Sequence, residues 1–473
     1  MMSSASKWCL SIALPLLATC APAPSNGEPG SATPEPSAAE EPGERTKGSG
    51  GGGGGGATAV PTAAAEAEVP EEPAPPAWTP RPEDRVTPHQ ELEFAENLTP
   101  FFDRLAVVDS DDPPPESDII RVVHLGASMI GNDDLPGILR EKFQTRFGDG
   151  GAGLVLLSRY MPNYRHRWVN INANDWQHCY IAYLCKSDGY YGLGGTTFWS
   201  DGGAATTLRT RDDELGSKAA HFEVWYVAQP GGGKLEARID RNDREVINTR
   251  ADALEDRYFS MDVEEGPHKV SIRALGSGRV RGYGVVMETK GPGLVWDQFS
   301  MLGAFTKRML AWDPDHIAGQ IKHRDPDLIA FMYGGNDLRR VATKKLSKEQ
   351  YVEEYSTAVQ RVRAGKPDAG CLIIGLTDRG KSLHFTIVPE HVETIIQGQR
   401  EVAQKTGCAF FDTYTAMGGG GSLAQWHKKR LAEADLKHLN HAGRKIVGGW
   451  IYDAIIAAYV AHRTGEAPRG GEG

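Results

Sequence analysis

The chain has 473 residues, with 52 Lys and Arg against 62 Asp and Glu and a formal net charge of −10. That length has room for two domains plus tails, and the acidic balance, with no run of Lys or Arg, argues against a nucleic-acid partner. At the N-terminus Lys7 precedes a short apolar run at residues 8–18. The run is too short to cross a bilayer and has the length of a signal-peptide core. From residue 21 to about 88 the chain is mostly Pro, Ala, Glu and Gly, including seven consecutive glycines at 50–56. Almost nothing there can bury apolar surface, so a disordered tether is predicted. A flexible segment of about 70 residues reaches roughly 45–50 Å.

Ordered structure is expected from Thr87 and Pro88 onward. Leu92, Phe94, Ala95, Leu98, Phe101, Phe102 and Leu105 recur near helical spacing and predict a helix. The apolar run at 119–125 predicts a strand that ends in Gly126, with Ser128 where the backbone turns and an amphipathic helix at 135–147. A glycine cluster at 148–153 leads into a second strand at 154–157. Residues 160–295 then show no long helix. Short alternating segments such as 222–227 and 269–272, separated by Gly, Asp and Asn turns, predict a β-sandwich. This stretch carries Trp168, Trp176, Trp199 and Trp225 with Tyr180, Tyr183, Tyr190 and Tyr191. Such rings build sandwich cores or sugar-stacking platforms, and core is the plainer reading for any one of them.

After Trp296 strands and helices alternate. Residues 328–333 form a buried-type strand ending in Gly334-Gly335-Asn336-Asp337. Ser347 and Gln350 read as a capping box opening a helix with Val352, Tyr355, Val359 and Val362 on one face. A strand at 371–376, a helix at 389–406 stopped by Gly407, a last strand at 408–411 and a terminal helix capped by Asn440 complete the pattern. The fold class predicted is α/β, a doubly wound parallel sheet of flavodoxin-like type with an inserted β-sandwich. The divisions are a signal at 1–20, a tether at 21–88, an α/β domain in two parts at 89–159 and 296–465 around the insert at 160–295, and a disordered tail at 466–473.

Of six cysteines, Cys9 lies in the signal, and no CxxC pair suggests zinc. Cys371 and Cys408 begin strands expected to be neighbours, and export permits a disulfide there, with two buried thiols as the alternative. Cys179 and Cys185 can bridge only if the chain turns between them, because a straight strand holds them roughly 20 Å apart.

Four separated signals point to one site. Ser128 follows the first strand, Gly303 lies in DQFSMLGA, Asn336 follows a middle strand, and Asp435 and His438 form DLKH before the last helix. In a doubly wound sheet these positions converge on the carboxyl edge, where such sheets bind ligands. Ser, His and Asp have the makings of a nucleophile, its base and the group that orients the base. The Asn336 amide and the backbone N–H groups of Gly303 and Ser128 are candidate oxyanion donors. Glycine at 303 is expected because the backbone must approach the substrate without a Cβ in the way. Each feature alone has a plainer reading as a turn or packing residue. A second Asp-x-x-His at Asp313 and His316 is set aside, because it opens a short helix with Pro314 in its first turn. Order and placement at strand ends are what join the set.

With those residues in place, the order Ser, Gly, Asn, His resembles the SGNH (GDSL-type) hydrolase superfamily. HLGASMIGNDD resembles its first block, SMLGA its second, YGGNDL its third and DLKHLNHAG its fifth. An all-β insertion between the first two blocks is similar to the peptidoglycan O-acetylesterase branch, where the insert is a carbohydrate-binding-like module. The run GVVMETKGPGLVWDQFSMLGA resembles that branch too. The departure is Ala127, where the family carries an Asp that braces the turn. Its loss bears on rate and leaves room for a catalytically silent relative. Separately, residues 17–20, LATC, resemble a bacterial lipobox, on which Cys20 would become the acylated first residue. Thr19 departs from the usual Gly, Ala or Ser, so cleavage by an ordinary signal peptidase is the alternative.

The resemblance implies an exported, lipid-anchored esterase of the cell envelope, on the periplasmic side of the outer membrane, that removes small acyl groups, acetyl foremost, from a polysaccharide. Ser128 attacks, His438 shuttles the proton, Asp435 orients the imidazole, Gly303 and Asn336 serve the oxyanion hole, and no metal or organic cofactor is needed. The partners expected are an acylated glycan, a membrane reached through the lipid alone, and no nucleic acid. The alternatives are a glycan O-acyltransferase with the same triad and a non-catalytic glycan-binding lipoprotein.

Overall fold

The computed structural model describes residues 78–110, 119–162, 164–212, 215–380 and 387–466. The expected signal segment, Cys20, the tether up to residue 77 and the tail from 467 lie outside the described residues. Five parallel strands form the central sheet in the spatial order Leu294–Ser300, Ile120–Gly126, Leu328–Met332, Gly370–Ile374, Ala409–Phe411. In chain order this is 2-1-3-4-5, the flavodoxin-like arrangement, with its switch point beside the first strand. Gly126 is level with Ser300 on one side and Met332 on the other. The three loops that follow these strands therefore leave the sheet at one height.

Alternation along the strands sorts their side chains to two faces. Val122, Trp296, Leu328 and Ala330 join a cluster with the helices Thr99–Val108, Leu135–Phe147 and His441–Thr464. Val123, Leu125, Ile329 and Phe331 face the helices Lys348–Arg363 and Pro389–Thr406. Local signals set the helix ends. Ser347 and Gln350 exchange capping hydrogen bonds at 3.2 and 3.1 Å, Gly407 ends its helix at φ 65°, and the Asn440 side chain accepts from Gly443 N at 3.1 Å.

Two antiparallel sheets make up the insert. One has the order Glu255–Gly266, Ala219–Ala228, Val280–Glu288, Thr196–Ser200, Gln177–Tyr180. The other has the order Val169–Asn174, Ala205–Thr210, Lys269–Gly276, Lys234–Ile239, Glu245–Asn248. Trp168, Trp225, Tyr180 and Tyr191 are buried, whereas Tyr183 is 70% exposed. Both cysteine pairs are disulfides. Cys371–Cys408 bridges adjacent parallel strands. Cys179–Cys185 closes because a 3-10 turn at Ile181–Tyr183 and a left-handed Leu184 bring their Cα atoms to 5.8 Å.

Three expectations shift. The strand expected at 154–157 is Gly151–Leu156, and it pairs antiparallel with Val280–Glu288 in the insert. Gly148, Gly151 and Gly153, all at positive φ, turn the chain out of the parallel layer, so the boundary expected at 159/160 falls back into that glycine cluster. The helix expected across 92–105 is split. Phe94 takes a left-handed φ of 56° before a 3-10 turn at Ala95–Leu98, and Thr99–Val108 follows with Pro100 in its first turn. Packed structure also reaches back into the expected tether. Trp78 meets the Tyr459 ring edge-on at 5.7 Å, and buried Asp84 receives two hydrogen bonds from Arg146 at 2.7 and 2.6 Å. Arg146 also pairs with buried Asp109 at 2.6 Å.

Candidate active site

The first strand ends at Gly126, and Ala127 leads into a 3-10 turn at Ser128–Asp133. No carboxylate stands at 127 to brace this turn, and main-chain bonds hold it. Ala127 N donates to Met332 O at 3.1 Å, while its carbonyl accepts from Ile130 N at 3.2 Å and Ser300 Oγ at 3.2 Å. Asn132 and Asp133 both take positive φ, 64° and 57°. This costly geometry is held where buried Asp133 accepts from Arg140 at 2.8 and 3.1 Å and from Arg167 N at 2.7 Å. Asp134 then accepts from Arg444 at 2.8 Å and lies 3.0 Å from His441 Nδ1, tying the serine turn to the start of the terminal helix.

That tie matters because His438 sits just ahead of the same helix. Its Nε2 lies 2.8 Å from Ser128 Oγ, and its Nδ1 lies 2.6 Å from Asp435 Oδ2. Asp435 Oδ1 accepts from Lys437 N at 2.8 Å and His438 N at 3.1 Å, so one turn presents the carboxylate to the far side of the imidazole. Burial first, with Arg379 beside it, lowers the imidazole pKa below its usual 6.5 against the raising effect of Asp435. Partial burial works to raise the Asp435 carboxyl, but bonds from His438 and Lys437 N leave it below the usual carboxylate range. A neutral imidazole facing an ionised carboxylate carries its proton on Nδ1, which leaves Nε2 free to accept from the serine.

Gly303 takes φ 75°, and a Cβ built on it meets nothing within 4 Å. The left-handed backbone is thus a second reason for glycine here, beside the close approach expected of a substrate. Two tyrosines from outside the parallel layer hold its loop. Tyr160 OH donates to Ser300 O, and Tyr180 OH donates to Leu302 O at 2.5 Å. Tyr180 is a buried core residue, the plainer of the two readings, and its hydroxyl also fastens the Gly303 loop. Asn336 Nδ2 donates to Ala304 O at 2.8 Å, and buried Asp337 accepts from Thr306 N and Oγ1 at 3.0 and 3.1 Å. Burial pushes the Asp337 carboxyl up to about 6. These bonds join the two loops that carry Gly303 and Asn336.

Ser128, Gly303, Asn336 and His438 line one cavity of about 650 Å³, with Asp435 behind the imidazole. The set-aside pair lies elsewhere. Asp313 caps the Pro314–Arg324 helix through His316 N, and the buried His316 ring meets Asp256 at 2.5 Å. Sequence reasoning gave no role to Asp134, although it ends the HLGASMIGNDD run, and missed Arg444 and Arg379, which carry no motif; all three enter the site through contacts distant in the chain. Among the described residues no group of His, Cys, Asp and Glu is placed to hold a metal ion, and no helix is long and apolar enough to cross a membrane.

Residues 277–446 match the model of the GDSL-like Lipase/Acylhydrolase family. No curated protein matches the chain. A solved structure described as "Peptidoglycan O-acetylesterase in action, 5 min" is similar at 20% identity and TM-score 0.63, over 79% of this chain and 99% of that one. A lipase/acylhydrolase from Enterococcus faecalis is similar at 16% identity and TM-score 0.27, over 35% of this chain and 77% of its own. A family two carbohydrate esterase from Cellvibrio japonicus is similar at 11% identity and TM-score 0.26, over 62% and 98%. The first of these shares the fold, insert included. The matched segment contains Gly303, Asn336, Asp435 and His438, and over those residues the chain carries a GDSL-like lipase/acylhydrolase domain.

Proposed function

We propose that the chain is a serine esterase that removes small acyl groups, acetyl foremost, from a polysaccharide of the cell envelope. The observation that carries this reading is the hydrogen-bonded run from Ser128 Oγ through His438 to Asp435, opening on a cavity that Gly303 and Asn336 also line. Ser128 Oγ attacks the ester carbonyl as His438 Nε2 takes its proton. The tetrahedral oxyanion is met by the N–H groups of Ser128 and Gly303 and by the Asn336 amide. Collapse breaks the bond to the sugar oxygen, which receives the proton from His438 and departs as an alcohol. Water, activated by the same imidazole, then hydrolyses the acyl-serine and restores the free hydroxyl. Asp435 stabilises the imidazolium in both halves and is not itself protonated.

The O-acetylesterase likeness supports a cell-envelope glycan as substrate. The apolar run at residues 8–18 and Cys20 support export and a lipid anchor. The test is turnover of p-nitrophenyl acetate and acetate release from purified cell-wall and capsular polymers. Ser128→Ala and His438→Ala should each abolish turnover while the fold is kept, and Asn336→Ala should cost roughly a hundredfold or more. Activity retained in either of the first two refutes the assignment.

A further inference from the structure

The cavity beside Ser128 is lined by Arg339, Arg340, Lys345, Arg379 and Lys437 and, among the described residues, by no aspartate or glutamate. This reverses the charge of the chain as a whole, which is −10. Arg340 is neutralised by Glu354 at 2.7 and 3.0 Å. Arg379 differs: its Nε is buried and has no hydrogen-bond partner among the described residues. Burial pulls its pKa down to about 10, so it remains a cation at neutral pH. Its position is defined from two sides. A Cβ on Gly335 would fall 2.6 Å from Arg379 Nη2, which sets the guanidinium beside Asn336. The adjacent Gly380 N donates to Leu436 O at 2.8 Å, which fastens it to the turn carrying Asp435 and His438.

A part-exposed guanidinium whose buried Nε–H has no acceptor is costly unless something completes it. Its planar fork matches a carboxylate or phosphate with two parallel hydrogen bonds. We propose that Arg379 binds an anionic substituent, a carboxylate or phosphate, on the sugar bearing the ester, so that the substrate is an acidic acylated glycan. This rests on the esterase reading above. Arg339, Lys345 and Lys437, exposed at the rim, meet further negative charge along the polymer.

The test compares kcat/KM for an O-acetylated uronic-acid oligosaccharide, the same oligosaccharide with its carboxyls methyl-esterified, and an O-acetylated sugar phosphate. The wild type, Arg379→Gln and Arg379→Lys are each assayed. The readout is the ratio of anionic to neutral substrate within each protein, from which a general loss of activity cancels. The wild type should favour an anionic substrate by roughly ten- to hundredfold. Arg379→Gln should bring the ratio near one, chiefly through KM, and Arg379→Lys should keep part of it. Which anion is favoured distinguishes carboxylate from phosphate. A wild-type ratio near one, or a ratio unchanged in Arg379→Gln, overturns the inference. If the folded protein hydrolyses none of these esters nor p-nitrophenyl acetate, the esterase reading fails first. Calorimetric titration of the deacylated uronate oligosaccharide then decides: binding lost in Arg379→Gln sustains the anion site, and no binding to the wild type ends it.

Discussion

Replacing Asp435 by asparagine changes one atom and should disable the site without disturbing its shape. In the native protein Oδ1 accepts two main-chain N–H groups, from Lys437 at 2.8 Å and His438 at 3.1 Å, while Oδ2 faces His438 Nδ1 at 2.6 Å. An asparagine keeps its oxygen on the two N–H groups, so its NH2 must face Nδ1. That nitrogen then has to accept, and the imidazole proton moves to Nε2. Nε2 lies 2.8 Å from Ser128 Oγ and in that tautomer can no longer take the serine proton. Loss of kcat should reach roughly 10³–10⁴-fold, the scale of the equivalent change in a Ser-His-Asp protease. Asp435→Ala is the informative companion. The native side chain is 43% exposed, so water can reach the vacated position and support the productive tautomer. The alanine variant should therefore retain more activity than the asparagine variant. Initial rates on p-nitrophenyl acetate, with melting curves to establish folding, measure both. An asparagine variant with more than about a tenth of native kcat would show that the imidazole does not depend on this carboxylate.

The remaining predictions concern pH, backbone and the N-terminal clamp. His438 is held below 6.5 by burial first and Arg379 second, so the neutral base survives into mildly acidic solution. The rate kcat/KM should stay level through neutral pH and fall on an acid limb below 6.5, and Arg379→Gln, which removes a lowering charge, should move that limb upward; a native limb above 6.5 contradicts this. Gly303→Ala meets no neighbour, so its stability cost should be backbone strain alone, about 1–2 kcal/mol. Turning the 303 peptide should also cost roughly a hundredfold in kcat, and an unaltered kcat would remove this N–H from the oxyanion hole. Arg146→Leu deprives the buried carboxylates of Asp84 and Asp109 of their shared cation. Urea unfolding should reveal a loss of about 3–5 kcal/mol, and a loss below about 1 kcal/mol would mean the clamp is not a net stabiliser.

The central sheet was largely legible because parallel strands buried on both faces read as continuous apolar runs, and the helices between them carry their own caps. Ser347, Gly407 and Asn440 act within three or four residues of themselves, so their roles need no tertiary knowledge. Less legible was the strand at Gly151–Leu156. Its apolar run suits either sheet, and the antiparallel partner at Val280–Glu288 is far along the chain. Ala127 read as a missing brace, and the partners of its main-chain N–H and C=O, Met332 and Ser300, lie on two other strands. Tyr180 could be weighed as core or sugar platform, but its bond to Leu302 O depends on how the insert abuts the Gly303 loop.

Taken by itself, the sequence determined the alternation of strands and helices, the glycine-marked turns and the residue types able to perform acyl transfer, since each depends on neighbours within about one helical turn. The tertiary structure alone decided which of these meet. Ser128 and His438 lie 310 positions apart and come within 2.8 Å because sheet order places the first strand beside the switch point. It also decided that Arg379, carrying no motif, lines the cavity while its buried Nε has no partner among the described residues. Hydrogen-bond partners across a sheet and the burial of a charge are set by chain segments remote in sequence, and no local pattern encodes them.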